Sequence, residues 1–172
     1  MKVKEALKIT DSFTKTSKMP GLSYSLPAWA CQTGAKLRKI PSSPCFGCYA
    51  MKNNYIRYPA IKAAQYRRLD AIKNPLWVEA MATKIKRQKW FRWHDAGDVQ
   101  SVEHMAKIIE VCKLTPDTQH WLPTQERQYL PDPEQVPANL IIRLSAAKVD
   151  GNPGNAWAHS STVVTDGNPS CP

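Results

Sequence analysis

The sequence predicts one α/β domain over residues 1–172, built on a parallel sheet in the form of a partial (β/α) barrel. Strand-like runs after residue 89 alternate with a helical stretch or with polar crossovers, which is typical of βα units in a parallel sheet. The chain of 172 residues is long enough for one core but well short of the roughly 250 residues of a closed barrel. We therefore expect a functional site at the carboxyl ends of the strands, where such sheets bind ligands.

The predicted elements share the apolar periodicity of their type and are separated by turn-forming residues. Residues 1–30 contain Pro20, Gly21 and Pro27, and they predict a lead-in with at most short strands that wraps onto the domain. The helices are predicted at about residues 59–74, 76–89 and 101–114, the first from apolar side chains that recur at near-helical spacing, at Ile61, Ala64, Tyr66, Leu69 and Ile72. One strand is predicted to end near His94, and the others to run over about residues 119–122, 140–144 and 161–164.

A cysteine-rich loop, residues 31–50, contains three of the five cysteines, Cys31, Cys45 and Cys48. The last two form a C-F-G-C turn, whose two-residue spacer lets both thiolates point at one ion or cluster. In a basic chain of intracellular type, such thiols are more typical of a metal site than of disulfides, because cytosolic thiols are kept reduced. The loop therefore predicts a metal-binding site.

The number of ligands bears on the identity of the metal. Structural zinc takes four ligands, and the sequence has neither a second C-x-x-C nor an H-x3-H pair. Iron-sulfur clusters are also held by thiolates, normally four, from less regular spacings. Cys171, in the terminal S-C-P, is the fourth candidate ligand. If Cys171 does not bind, one iron is open to a small molecule.

Several stretches of the chain resemble one phage protein family. CFGCYA, preceded by YSLPAWAC and followed by RWHDAGDVQS, WLPTQER and NLIIRLSA, is similar to the gene product 88 family over about residues 19–172. That family is itself similar to radical S-adenosylmethionine (SAM) proteins. The resemblance implies a 4Fe-4S cluster on Cys31, Cys45 and Cys48, with Tyr49 as the aromatic residue beside the last ligand. The chain departs from the C-x3-C-x2-C pattern of radical SAM proteins, because 13 residues separate its first two cysteines.

The resemblance also implies positions for SAM. Gly97 and Asp98 occupy the place of the glycine-rich acidic turn that holds the amino group of SAM, although Asp98 could instead cap the following helix. Ser145, after the strand NLIIRL, could bond the ribose of a ligand or begin a turn. The predicted cofactors are therefore a 4Fe-4S cluster and, as a small-molecule ligand at its open iron, SAM.

Other polar residues also follow predicted strands. His94 and Asp95 are candidates for an acid, a base or a ligand, and equally for a hydrogen-bonded structural pair. The remaining strand-end candidates are Thr124, Glu126 and Asp166. Cys112 shares the apolar face of its predicted helix, so we expect a buried small hydrophobe rather than a metal ligand.

The chain is basic, with 24 Lys and Arg against 14 Asp and Glu and a net charge of +10. Such charge suits a phosphate-rich partner and equally serves solubility. The basic residues are densest on the faces of the first two helices that are predicted to be exposed, at Lys62, Arg67, Arg68, Lys73, Lys84, Lys86 and Arg87. These faces are predicted either to be solvated or to contact nucleic acid.

The first residues, MKVKEALKIT, lack the apolar run of a signal peptide, and no stretch has roughly 18 consecutive apolar residues. We therefore expect a soluble protein without membrane contact, in the cytoplasm of the host cell if the chain is phage-encoded.

Three functions are open at this point, and the resemblance favours a 4Fe-4S protein of radical-SAM-like ancestry. The first is a radical-type enzyme that binds SAM at an open iron. The second is a non-catalytic iron-sulfur protein, an electron carrier served by an electron donor or a regulatory module, in which Cys171 completes the ligand set. The third is a basic nucleic-acid-binding protein with a structural metal. The sequence identifies no substrate.

Overall fold

The computed structural model describes residues 1–17, 19–155 and 157–166, and its central feature is a five-stranded parallel sheet. Neighbouring strands are parallel throughout and follow one another across the sheet in chain order. They are β1 (Leu22–Tyr24), β2 (Trp90–Trp93), β3 (Gln119–Thr124), β4 (Leu140–Ser145) and β5 (Ser160–Ser161). The predicted α/β class and parallel sheet are therefore confirmed.

The α-helices of the described residues lie mainly before β3. They are α1 (Val3–Thr10), α2 (Gln32–Leu37), α3 (Asn54–Arg57), α4 (Pro59–Ala71), α5 (Trp77–Ile85) and α6 (Val102–Lys113). Helix α5 packs between α1 and α6. In the described part of the chain, no helix has both the length and the apolar character needed to cross a membrane.

The two faces of the sheet differ in burial. On one face, Phe91 and Trp93 of β2 are buried together with Trp77 of α5, and these aromatic rings contact one another. On the opposite face, Arg92 and Trp121 are only half-buried, and the Arg92 guanidinium lies 4.8 Å from the Trp121 ring centre. The buried face holds the strands in place, so the carboxyl ends of the strands form a fixed platform.

The predicted bounds of some elements were wrong. The predicted lead-in contains helix α1 and strand β1, which pairs with β2 through Tyr24 and Trp93. Helix α5 ends at Ile85, four residues before the predicted end at residue 89. Strand β5 is only two residues long and lies at Ser160–Ser161 rather than over residues 161–164.

Helix α4 buries polar rather than apolar side chains. Gln65 is 0% exposed and Arg68 5%, whereas Tyr66 is 41% exposed. The predictions that Tyr66 lies on the core face and that Arg68 lies on an exposed face are therefore wrong. Lys84 of α5 is also half-buried, and its Nζ donates to Thr10 Oγ1 at 2.9 Å. Burial lowers the pKa of Lys84 to about 8.

Three buried histidines should make the fold sensitive to acid. Burial lowers the pKa of His94 and of His120 to about 4, and that of His104 well below its usual 6.5. Because the unfolded chain then binds more protons than the folded one, stability should fall as the pH drops from 6.5 towards 4. Each histidine adds up to about 1.4 kcal/mol per pH unit to this fall.

Urea unfolding at several pH values between neutral pH and about pH 4 measures how steeply the free energy of unfolding changes with pH. A His120→Gln variant is the control, because His120 Nδ1 accepts a hydrogen bond from Trp93 Nε1 at 3.2 Å and cannot be protonated without losing it. In the variant, the free energy of unfolding should change less steeply with pH, by the equivalent of about one bound proton, or about 1.4 kcal/mol per pH unit. A stability that does not change over this pH range would contradict the prediction.

Candidate metal centre

The three loop cysteines come from two short segments that fold onto each other. Cys31 directly precedes α2, and Cys45 and Cys48 lie in the turns that follow this helix. Cys48 N donates to Cys45 O at 3.2 Å, which closes the C-F-G-C turn. All three are half-buried free thiols, so their sulfurs are available to a ligand.

The sulfurs of Cys31 and Cys45 both lie near Gly34 of α2. A Cβ built on this glycine would lie 3.8 Å from Cys31 Sγ and 3.9 Å from Cys45 Sγ. Both sulfurs therefore face the same side of α2, although 13 residues separate these cysteines in the chain. The added carbon would also lie only 3.0 Å from Cys31 Cβ. Gly34 thus keeps open the space between the two thiols.

The thiols lie mainly among negatively charged groups. Burial raises the pKa of the Cys31 thiol, and the charges of Asp98 and Cys48 raise it further. Burial and then Cys48 also raise the pKa of Cys45, and the Arg38 guanidinium opposes this. A bound metal ion reverses such pKa shifts, because its positive charge stabilises the thiolates.

Glu126 holds the N-terminus of α2 beside Cys31. Its side chain is 0% exposed, and Oε1 accepts hydrogen bonds from Gln32 N at 3.0 Å and Thr33 N at 2.9 Å. Its Oε2 accepts from Thr33 Oγ1 at 2.6 Å. A carboxylate in this place satisfies N–H groups that the first turn of a helix leaves unpaired. Because Glu126 follows β3, it attaches the cysteine loop to the carboxyl end of the sheet.

The carboxylate of Asp98 accepts three hydrogen bonds from the protein. Oδ1 accepts from Val99 N at 2.8 Å and Thr124 Oγ1 at 2.6 Å, and Oδ2 accepts from Gln125 N at 2.9 Å. Burial raises the pKa of Asp98 to about 7, although these hydrogen bonds oppose the shift. Asp98 does not cap α6, because the Ser101 side chain has that role.

Gly97 lies where the turn after β2 crosses the chain after β1. Its φ is +80°, and a Cβ on it would lie 2.5 Å from Leu26 Cβ and 2.8 Å from the Leu26 carbonyl carbon and oxygen. Leu26 N donates to Ala96 O at 2.8 Å in the same crossing. The structure therefore gives Gly97 a packing requirement beside the cofactor role predicted for it.

Asp95 connects the segment after Cys48 to β1. Its Oδ1 accepts from Ser23 Oγ at 2.6 Å and from Ser25 Oγ at 2.7 Å, and its Oδ2 accepts from Tyr55 OH at 2.9 Å. Tyr49 OH donates to the backbone carbonyl of Asp95. These contacts fix Tyr49, the aromatic residue that follows the last cysteine of the loop.

The remaining strand-end candidates have different environments. His94 is 3% exposed, and its Nδ1 lies 3.0 Å from the Tyr24 carbonyl oxygen, whereas its Nε2 is buried and has no hydrogen-bond partner among the described residues. Asp166 is exposed. Cys112 is 0% exposed on the core side of α6, and its predicted burial is confirmed.

An open pocket of about 210 Å³ adjoins the C-F-G-C turn. One wall contains Cys45, Cys48 and Tyr49, and the other contains Gln125 and Ser145 at the ends of β3 and β4. The structure thus places two predicted cofactor residues, Tyr49 and Ser145, in one pocket with two of the cysteines. No sequence pattern singled out Gln125, which reaches the pocket by donating from Nε2 to a backbone carbonyl after β4.

The candidate metal ligands of the loop are thiols. Among the residues that the structure describes, no three His, Cys, Asp or Glu side chains stand close enough to hold one metal ion. Thiolates around a single zinc lie within about 4 Å of one another, whereas each thiolate of a cluster binds a different iron. Thiols are ligands that both zinc and iron-sulfur clusters use, so the loop fits a cluster by the chemistry of its donors. Cys171, the fourth predicted ligand, lies outside the described residues.

The model of one protein family, described as Gene product 88, matches residues 1–168. No curated protein and no solved structure matches the chain. The family predicted from the sequence motifs is confirmed, whereas these comparisons give no support to a similarity with radical SAM proteins.

Proposed function

The chain belongs to the gene product 88 family, and we propose that it holds a 4Fe-4S cluster through Cys31, Cys45 and Cys48 as a redox-active iron-sulfur protein. One observation carries the proposal: the Cys31 and Cys45 sulfurs face the same open space over Gly34, and Cys48 lines one pocket together with Cys45. Soft thiolates are the ligands that iron-sulfur clusters use.

The sheet supports the same proposal. A parallel sheet whose strands follow in chain order has the topology of consecutive strands in a (β/α) barrel. The face of the sheet that contains Arg92 and Trp121 is only half-buried. Glu126, after β3, attaches the cysteine loop to the carboxyl ends of the strands. These features favour the partial barrel and the location of the cluster at its mouth.

The residues of the chain have separate roles in this proposal. The three thiolates hold the cluster, which supplies one-electron transfer when bound. Glu126 fixes the segment of Cys31, and Asp95 fixes the segment of Cys48 through Tyr49. We propose that Cys171 supplies the fourth thiolate, which makes the protein an electron carrier or a regulatory module.

A second candidate function is a radical-type enzyme that binds SAM at an open iron. The pocket of about 210 Å³ favours it, because Cys45 and Cys48 line one wall and the Ser145 side chain lies in the other. Ser145 could then bond the ribose of SAM. Asp98 is less suited to bind the amino group of SAM directly, because the Asp98 carboxylate already accepts three hydrogen bonds from the protein.

Electron paramagnetic resonance of the chemically reduced protein separates the two candidates. We expect SAM to leave the cluster signal of the unmodified protein unchanged, because Cys171 occupies the fourth iron. In a Cys171→Ala variant, SAM should shift the signal, and air should bleach the cluster faster.

A SAM-induced shift in the unmodified protein, matched by an identical shift in the alanine variant, would contradict the role of Cys171 and favour the enzyme. A reduced protein without any cluster signal would contradict both candidates.

A further inference from the structure

A second cavity lies beside Asp95 and is lined by basic and hydroxyl side chains. Its volume is about 600 Å³, within the range of roughly 300–1,000 Å³ that is usual for small-molecule sites. Its walls come from residues 12–17, from the chain after β1 and from α3 and α4. The polar residues that matter most are Thr14, Lys15, Thr16, Ser25, Arg67 and Arg68.

Arg68 is the buried cation of this cavity. Its side chain lies on α4, and the residue is 5% exposed. Nη1 donates to Thr14 Oγ1 at 3.2 Å and to the Ser25 carbonyl oxygen at 3.4 Å. Nε is buried and has no hydrogen-bond partner among the described residues. A buried charge without a paired counter-charge is costly, so this guanidinium is suited to an anion from outside the chain.

The carboxylates nearest to Arg68 are engaged elsewhere. Asp11 forms an ion pair with Arg67 at 2.8 Å, and Asp95 accepts from three hydroxyl groups. Both oppose the lowering of the Arg68 pKa by burial, but neither forms an ion pair with it. Among the described residues that line the cavity there is no Asp or Glu. The lining is therefore positively charged.

Two further features of the cavity suggest what kind of anion it holds. Thr16 Oγ1 is buried and, within the described part of the chain, has no hydrogen-bond partner. Another wall is apolar and consists of Ala60, Ile61 and Ala64 of α4. The cavity thus offers unpaired donors on one side and an apolar surface on another.

We propose that this cavity binds a small molecule with a phosphate group and an apolar or aromatic body, as in a nucleoside monophosphate. The phosphate oxygens accept hydrogen bonds from the Arg68 guanidinium and the Thr16 hydroxyl, which turn into the cavity on binding, and Lys15 adds charge at the rim. Guanidinium groups match phosphate geometry well, and phosphate has enough acceptor oxygens for both donors. The apolar body contacts the α4 wall.

The site is separate from the proposed cluster but shares Asp95 with it. Ser25 and Tyr55 line the cavity and donate to the Asp95 carboxylate. Tyr49, which lines the cysteine pocket, donates to the carbonyl of the same residue. Binding of phosphate does not require the cluster, so it is measured independently of iron content.

Isothermal titration calorimetry with inorganic phosphate and with adenosine monophosphate tests the site, at an ionic strength held constant with chloride. We expect saturable binding of both, and tighter binding of the nucleotide because of the α4 wall. Arg68→Gln should weaken binding by about tenfold or more. Lys15→Gln, an exposed change that spares the fold, should weaken it by about threefold.

Arg87→Gln is the matched control, because it removes the same charge from an exposed position just after α5 and should leave binding unchanged. Equal weakening in all three variants would show a general charge effect and overturn the site. Absence of saturable binding would overturn it too, as would binding of an oligonucleotide without binding of either small phosphate. If Arg68→Gln does not fold, the comparison of Lys15→Gln with Arg87→Gln decides.

Discussion

The Cys45→Ser variant should lose the cluster almost completely, and with it the brown colour and the bound iron. Cys45 Sγ and Cys31 Sγ face the same space over Gly34, so removing one thiolate leaves the cluster without an anchor on that side. A serine hydroxyl is a hard oxygen ligand that does not replace a soft thiolate. Visible absorption and iron content after anaerobic purification measure the loss. Cys48→Ser should behave in the same way.

Cys112→Ala is the matched control for this effect. The Cys112 side chain is 0% exposed in the core, so its removal should cost about 1–2 kcal/mol of stability and leave the iron content unchanged. Loss of iron from Cys112→Ala, or its retention in Cys45→Ser, would contradict the assignment of the cysteine loop.

The Gly97→Ala variant should be destabilised by about 3 kcal/mol or more. The methyl group would lie 2.5 Å from Leu26 Cβ and 2.8 Å from its carbonyl group, at a φ of +80°. The backbone after β1 would have to move, and this backbone also carries the hydrogen bond between Leu26 N and Ala96 O. Urea unfolding at neutral pH measures the loss of stability.

Gly154→Ala separates the two causes. Gly154 has nearly the same φ, +81°, but a Cβ there would meet no atom of the described residues within 4 Å. Its replacement should cost only the conformational term, about 1 kcal/mol. Equal losses in the two variants would show that the contact with Leu26 is unimportant.

The sequence predicted the elements whose signals are local. Strand β2 has an aromatic run that ends before a glycine turn, and α6 has an apolar face that includes Met105 and Ile109. Strand β1 was missed as a sheet member, because three residues carry little pattern and its pairing with β2 is a tertiary contact. Helix α1 was missed because Lys and Thr mask a short buried face.

The face of α4 was predicted wrongly for a physical reason. Periodicity counts Tyr66 as a core residue and Arg68 as a surface residue, and no local signal reverses that count. Arg68 is buried because its guanidinium donates hydrogen bonds to Thr14 and Ser25, which lie far from it in the chain. A buried cation of this kind becomes visible only when the tertiary structure is known.

The candidate site was predictable to a similar degree. The spacing of Cys45 and Cys48 and the polar strand ends indicated its place. The roles of Glu126 and Gly34 were not predictable. Glu126 accepts hydrogen bonds from Gln32 and Thr33, which lie 94 and 93 positions before it in the chain. Gly34 becomes noticeable only in the structure, where the sulfurs of Cys31 and Cys45 both lie near the position of its absent side chain.

Iron and acid-labile sulfide analysis of the unmodified protein, purified without oxygen, tests the central claim most directly. A 4Fe-4S cluster predicts about four iron and four sulfide per chain in a brown protein. A colourless protein with about one zinc per chain and no sulfide would contradict the claim, because zinc centres contain no inorganic sulfide.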